Sequence, residues 1–234
     1  MTNFSVDSSF WSLFPEARIG LIIARGLDNA TAHHGLTAAM TAAMQTAAAR
    51  LGEADLATHP AIAPWRAAYR AFGAKPSDYR SSIENLLRSA KSGRLRGINP
   101  LVDLYNAHSL THWLPYGGED LSRVVGDIRL TRAVGDEHFV PLGASEPAPP
   151  FAGEVIYRDD IGVLCRGWNW REAERTKLTE ATTDAVLVIE ALAAHDPAQP
   201  ERACAELADA IRTHLSGTTR YSVVQRERPE AVDL

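Results

Sequence analysis

The apolar positions of this chain switch between two spacings, and the switches mark out its elements. Arg18 to Arg25 (RIGLIIAR) is a short isoleucine-rich run suited to a buried strand, and Gly26-Leu27-Asp28-Asn29 turns the chain after it. The spacing then becomes helical. Leu36, Met40, Met44 and Ala47/Ala48 recur along an alanine-rich stretch that Gly52 stops. His59 to Phe72 repeats the pattern with Trp65, Ala68, Tyr69 and Phe72 inward, until Gly73-Ala74-Lys75-Pro76 breaks it. Ser77 can cap a third helix running to Ser92, with Ile83, Leu86, Leu87 and Ala90 on its apolar side. The sharpest helix start comes next. Asn99 can accept from a free first-turn N–H, and Pro100 sits where its missing N–H costs nothing. Leu101, Leu104 and Tyr105 form the inward face, while Asn99, Asp103 and Asn106 fall three or four residues apart and make a polar line beside it.

Trp113 to Asp120 (WLPYGGED) reads as a turn-rich loop, and beyond it the pattern alternates. Asp127 to Ala133 predicts a strand that Gly135-Asp136 turns into His138 to Leu142. Residues 143–150 are a proline-rich connection, and Glu154–Tyr157 with Val163–Cys165 predicts a hairpin. Thr182 to Leu192 has the β-branched residues of a buried strand, and period two puts Val186, Val188 and Glu190 on one face. Ala198 to Leu215 predicts an amphipathic helix and Arg220 to Val224 a closing strand. The first 18 residues read as an irregular lead-in whose Phe10, Trp11 and Phe14 pack on the domain, and the last ten as loose. The mixture implies an α+β fold, a mainly antiparallel sheet core flanked by helices. One domain is expected over residues 18–224, with a lead-in over 1–17 and a tail over 225–234.

Composition narrows this picture. The chain of 234 residues is 45% hydrophobic, enough for a sizeable core. No apolar run approaches the roughly 18 residues of a membrane span, and the N-terminal residues lack a signal peptide's basic start and apolar block. A soluble cytoplasmic protein with no membrane partner is the expectation. Cys165 and Cys204 lie far apart in sequence, which indicates neither a disulfide framework nor a cysteine metal site. The net charge of −5 argues against a protein that coats nucleic acid by charge alone. Between Arg66 and Arg96, however, eight basic residues face only Asp78 and Glu84. Arg80, Arg88 and Lys91 project from the polar side of the third helix, and Arg94 and Arg96 lie in the glycine-bounded loop after it. This is either a local phosphate-binding face or a solvated helix surface.

Glu190 is the most informative carboxylate, because it ends an apolar strand run where a buried charge costs several kcal/mol unless paired or protonated. There it holds a substrate amine, acts as a general base, or simply reaches solvent at a strand end. Trp168, Asn169, Trp170 and Arg171 offer stacking planes, an amide and a guanidinium for a base, a terminal adenosine or an aromatic side chain. Aromatics on a strand equally serve the core. His33 and His34 are adjacent, so they point apart on a helix and suit capping or surface roles better than one metal. Serine-nucleophile motifs, a P-loop, a dinucleotide fingerprint and paired zinc histidines are not recognised, so no metal or cofactor is expected.

INPLVDLYN, the PYGGEDL segment, VGDEHFVPLG and GVLCRGWNWREAERTKLTEATTDAVLVIEAL, in that order, resemble the B3/B4 module. That module occurs in the β chain of bacterial phenylalanyl-tRNA synthetase and also as a free-standing protein. The resemblance spans roughly residues 18 to 224 and implies a B3/B4-like layered fold. In the synthetase the module is an editing site that hydrolyses tyrosine wrongly attached to the phenylalanine tRNA. By this resemblance the family's editing asparagine falls on Asn106 and its side-chain-reading glutamate on Glu190. The family's threonine is replaced by Tyr105, its histidine is missing and falls nearest Gly117, and its glycine-rich segment is replaced by Trp168-Asn169-Trp170. The implied activity is a trans-acting aminoacyl-tRNA deacylase working on the 3′ end of mischarged tRNA, not on DNA. Asn106 and Glu190 would be catalytic, with Gly117 and Gly118 N–H groups stabilising the oxyanion. Tyr105, Tyr116, Trp168, Asn169, Trp170 and Arg171 would bind substrate, and Arg80, Arg88, Lys91, Arg94 and Arg96 the tRNA phosphates. A non-catalytic module binding tRNA or an amino acid in the same pocket is the alternative, and a protein-contact scaffold the third.

Overall fold

The computed structural model describes residues 2–31, 34–94, 96–228 and 232–234. The chain starts with β1 (Asn3–Val6) and α1 (Ser8–Leu13), then passes through β2 (Arg18–Arg25) into α2 (His34–Leu51), α3 (Ala63–Ala71), α4 (Ser82–Lys91) and α5 (Pro100–His112). There follow β3 (Tyr116–Asp120), β4 (Ile128–Arg132), β5 (Val155–Arg158), β6 (Val163–Arg166), β7 (Arg171–Glu172) and β8 (Ala185–Ala191). The last elements are α6 (Gln199–His214), β9 (Thr218–Val224) and β10 (Val232–Asp233). Among the described residues no helix is long and apolar enough to cross a membrane.

One sheet has the order β10-β1-β4-β5-β6-β7 and the other β3-β8-β2-β9. Every pairing within them is antiparallel except β1 with β4. This is the α+β architecture that the alternating spacings imply. In this second sheet β3, β8 and β2 are buried on both faces while β9 forms a largely exposed edge, and period two sorts the side chains. Ile19, Leu21, Ile23 and Val186 join the core shared with the larger sheet, α1, α3 and α4. Ile22, Ala24, Leu187 and Ile189 join the core beneath α5 and α6. Gly20 allows α6 its close seat, since a Cβ there would lie 2.4 Å from Cys204 Sγ.

Local signals hold where the reason is local. β2 has the bounds that RIGLIIAR predicts, and Asn99 caps α5 with Pro100 in its first turn. Two helices start later than expected. α3 begins at Ala63 with a proline in its first turn, and Ser81, not Ser77, caps α4 by accepting from the Glu84 N–H. Four readings change because of long-range contacts. The lead-in forms β1 and α1, with Asp7 capping the helix and Phe10 and Trp11 buried. The end of the chain returns as β10 along β1, with Leu234 buried. The supposed loop at Tyr116–Asp120 is an entirely buried strand, because β8 offers it a full ladder that outweighs its poor strand composition. His138–Leu142 forms no strand and keeps one bridge, Pro141 to Ala173, because its backbone groups are taken singly by Ala148, Val163, Glu172 and Glu174. His33 and Leu95 lie outside the described residues, as does the side chain of His34.

Candidate functional site

The start of α5 is locked from two sides. Asn99 Oδ1 accepts from the Val102 N–H at 3.1 Å and from Asn29 Nδ2 at 3.1 Å. Asn29 Oδ1 accepts from the Leu101 N–H at 2.7 Å. The two amides also donate outward, Asn99 to the Leu178 carbonyl and Asn29 to the Thr179 carbonyl. Asp103 reaches back to the Ile98 N–H at 2.8 Å. The polar line of α5 therefore divides: Asn99 and Asp103 fasten the helix and the 178–179 segment to it, which is structural work.

Between the two sheets lies a small enclosed cavity of about 20 Å³, room for one water. Phe4, Ile128, Leu164, Val186 and Val188 give it apolar walls. Glu190 faces into it from β8, wholly buried. Its Oε1 accepts from the Tyr157 hydroxyl at 2.5 Å and its Oε2 from Asn169 Nδ2 at 2.7 Å. Tyr69 in turn donates to Asn169 Oδ1 at 3.0 Å. Burial raises the Glu190 carboxyl to about 7, against the pull of Tyr157, Asn169 and the nearby Trp168 indole N–H. No cation opposes it. Glu84, Glu154 and Asp159 are equally buried, but each meets an arginine at 2.7–2.8 Å: Arg66, Arg166 and Arg175. Among the described residues Glu190 is the wholly buried carboxylate left without one.

Glu119 and Glu172 line the same cavity. Burial pushes both carboxyls up, Glu172 to about 7 and Glu119 well above its ordinary range, with the Glu172 charge adding to burial at Glu119. Two such neighbours cannot both ionise cheaply, so each raises the cost of charging the other. The close approach requires glycine at 117, where a Cβ would lie 2.8 Å from Glu172 Oε1. Glu172 and Gly118 also line a larger groove of about 340 Å³, bordered by Ile98, Val102, Tyr105 and Lys177 at the start of α5. Cavity and groove thus meet at these two residues. The Tyr105 hydroxyl is held protonated by burial and by the charges of Glu172 and Glu119.

The strand ladder fixes the roles of the two glycines. The Glu190 N–H donates to the Pro115 carbonyl, so alternation turns Gly117 toward β8 and the Gly118 N–H toward the open edge of β3. Asp120, two residues on, confirms the alternation by donating outward to the Thr176 carbonyl. Gly117 is therefore no oxyanion donor, because its N–H belongs to the ladder. Gly118 has its N–H at the junction of cavity and groove.

The remaining candidates disperse. Asn169 and Trp168 both border the cavity, but the Trp168 ring is packed into the core: it is fully buried at φ 64°, with Trp65, Phe10 and Phe14 rings at 5.1, 4.9 and 4.8 Å. Its face is closed to a base. Asn106 and Trp170 share a different depression with Tyr116, apart from Glu190. Trp170 meets Tyr79 edge-on at 4.4 Å, and exposed Arg171 lies 5.5 Å from the Trp170 ring centre. The basic face also divides. Arg88 and Arg80, with Arg66, converge on buried Glu84, and Lys91 reaches the Gly52 carbonyl and Glu53. Arg66 thereby joins α3 to α4, and Lys91 joins α4 to the end of α2. Arg94 and Arg96 are exposed and make no ion pair among the described residues. Tyr157, Glu119 and Glu172 are not singled out by the sequence, and Tyr69 is read from it only as core; the alternation of β5 is the signal that turns Tyr157 inward.

No curated protein matches the chain. Among solved structures, an N-terminal fragment of the phenylalanyl-tRNA synthetase β-subunit from Pyrococcus horikoshii is similar to it at 14% identity and a TM-score of 0.48. That match covers 94% of this chain and 50% of the fragment, so the chain spans about half its length. The B3/4 domain family matches residues 64–216, well over half of the chain, and the chain belongs to that family.

Proposed function

We propose that this protein is a trans-acting deacylase that hydrolyses the ester of mischarged aminoacyl-tRNA. Membership of the B3/4 domain family and the resemblance of its motifs to a synthetase editing module support the tRNA part. The observation that carries the pocket is Glu190, buried with no cation and held by Tyr157 and Asn169 at the cavity wall. Such a carboxyl reads a hydrogen-bond donor, hydroxyl or amine, at the tip of the aminoacyl side chain, in the place of the one water for which the cavity has room. In this reading the groove beside Tyr105 and Lys177 takes the terminal ribose, and the ester lies at Gly118 and Glu172, which line both groove and cavity. The Gly118 N–H then stabilises the tetrahedral oxyanion, and the adjacent ribose hydroxyl assists the attacking water.

Deacylation of a panel of mischarged tRNAs tests this reading. The parent hydrolyses at least one of them, and Glu190→Ala and Glu190→Gln slow that reaction or change which amino acid is removed. Absence of hydrolysis across the panel overturns it. A non-catalytic module is the second reading, favoured by a cavity with space for one water and with no histidine in its lining. It predicts saturable tRNA binding without turnover.

A further inference from the structure

On the opposite side of the four-stranded sheet from the Glu190 cavity, α5 and α6 carry a second group of donors. His108 and His112 stand one turn apart on α5, and Glu206 faces them from α6. One ligand atom from each lies within 4.8 Å of the others. The imidazole rings are nearly parallel, with centroids 6.2 Å apart and planes at 21°. His112 Nε2 is already 2.9 Å from Glu206 Oε2. We propose that His108, His112 and Glu206 form a binding site for one divalent transition-metal ion of the zinc type, joining α5 to α6.

The chemistry of the donors fits that class. Two imidazoles and a carboxylate are the borderline nitrogen and oxygen donors that zinc takes, and three protein ligands leave a fourth position for water. Metal–ligand bonds of about 2.0–2.1 Å place tetrahedral donors roughly 3.3 Å apart. The His112–Glu206 pair is within a few tenths of that spacing, and Glu206, exposed over half its side chain, has freedom to adjust. The frame beneath is fixed, since Gln199 at the start of α6 donates its side-chain amide to the His112 carbonyl at 2.7 Å. The site departs from the expectation of no metal, which weighed His33 and His34 and passed over the i, i+4 pair. It does not depend on the deacylase reading.

Calorimetric titration of metal-stripped protein with Zn²⁺, and absorption spectra with Co²⁺, test the site. The expected result is one saturable equivalent, visible d–d bands of a low-coordinate Co²⁺, and a raised Tm with metal. His112→Ala and Glu206→Gln each weaken binding by more than about tenfold while the metal-free Tm stays near the parent's. Glu206→Gln keeps size at a half-exposed position, so its fold is retained whatever His112→Ala does. Absence of a saturable equivalent overturns the proposal, and so does binding that survives Glu206→Gln unchanged.

Discussion

Replacing Glu190 by glutamine preserves the volume at the cavity wall and removes its titration. The amide oxygen still accepts from Tyr157, and a rotation of the Asn169 amide lets it accept from the new NH₂ while donating to Tyr69. What changes is the pH dependence of stability. The folded carboxyl titrates near 7 against an ordinary 4.5, so between those values the folded state holds more proton than the unfolded one. The protonated group's contribution is complete below about pH 4.5 and is lost as pH rises through about 7. A shift of that size is worth about 3 kcal/mol. Urea unfolding of parent and Glu190→Gln from about pH 4 to pH 8, at constant m, reads the difference directly. The parent should lose about 3 kcal/mol more than the variant over that interval. Glu172 and Glu119 titrate with the same sign in both proteins, and the Glu172 charge raises Glu190, so the coupling adds to the difference. Curves that run parallel within about 1 kcal/mol would refute the reasoning. They would mean that Glu190 is ionised at neutral pH and that the pocket is not the low-dielectric chamber described.

Trp168→Ala should cost about 3–5 kcal/mol in denaturant unfolding, because it empties the centre of an aromatic cluster; a loss below about 1 kcal/mol would return the residue to the ligand side. Asn99→Ala removes a helix cap and the donor to the Leu178 carbonyl, for a loss of about 1–2 kcal/mol by the same measurement. Arg94→Ala combined with Arg96→Ala should weaken tRNA binding and flatten its dependence on log salt by between about 1 and 2. Arg88→Ala, by contrast, should lower stability through Glu84 and leave that slope unchanged, which filter binding at several salt concentrations distinguishes.

The parts of this molecule that could be read along the chain are those whose cause is local. RIGLIIAR is a strand by composition, Asn99-Pro100 a helix start by capping, and the Val186, Val188, Glu190 alternation a common face by geometry. β1, β3 and β10 were missed because each is a strand only by virtue of the neighbour it pairs with. The site was half legible for a related reason. Sequence shows where charges are and not who partners them. A basic cluster around Arg66 to Lys91 suggested a phosphate surface, yet buried Glu84 consumes three of its arginines. Glu119 and Glu172 come from separate strands of different sheets, so no spacing announced that they meet. Glu190 stands out only after that accounting is complete, when arginines have neutralised Glu84, Glu154 and Asp159 and have left it alone. A fold that pairs its other fully buried carboxylates has the means to pair this one, and an apolar residue of similar volume would have been cheaper in a purely structural wall. The carboxyl left without a cation at the meeting point of the two sheets is therefore the strongest single argument for proposing that this cavity binds something.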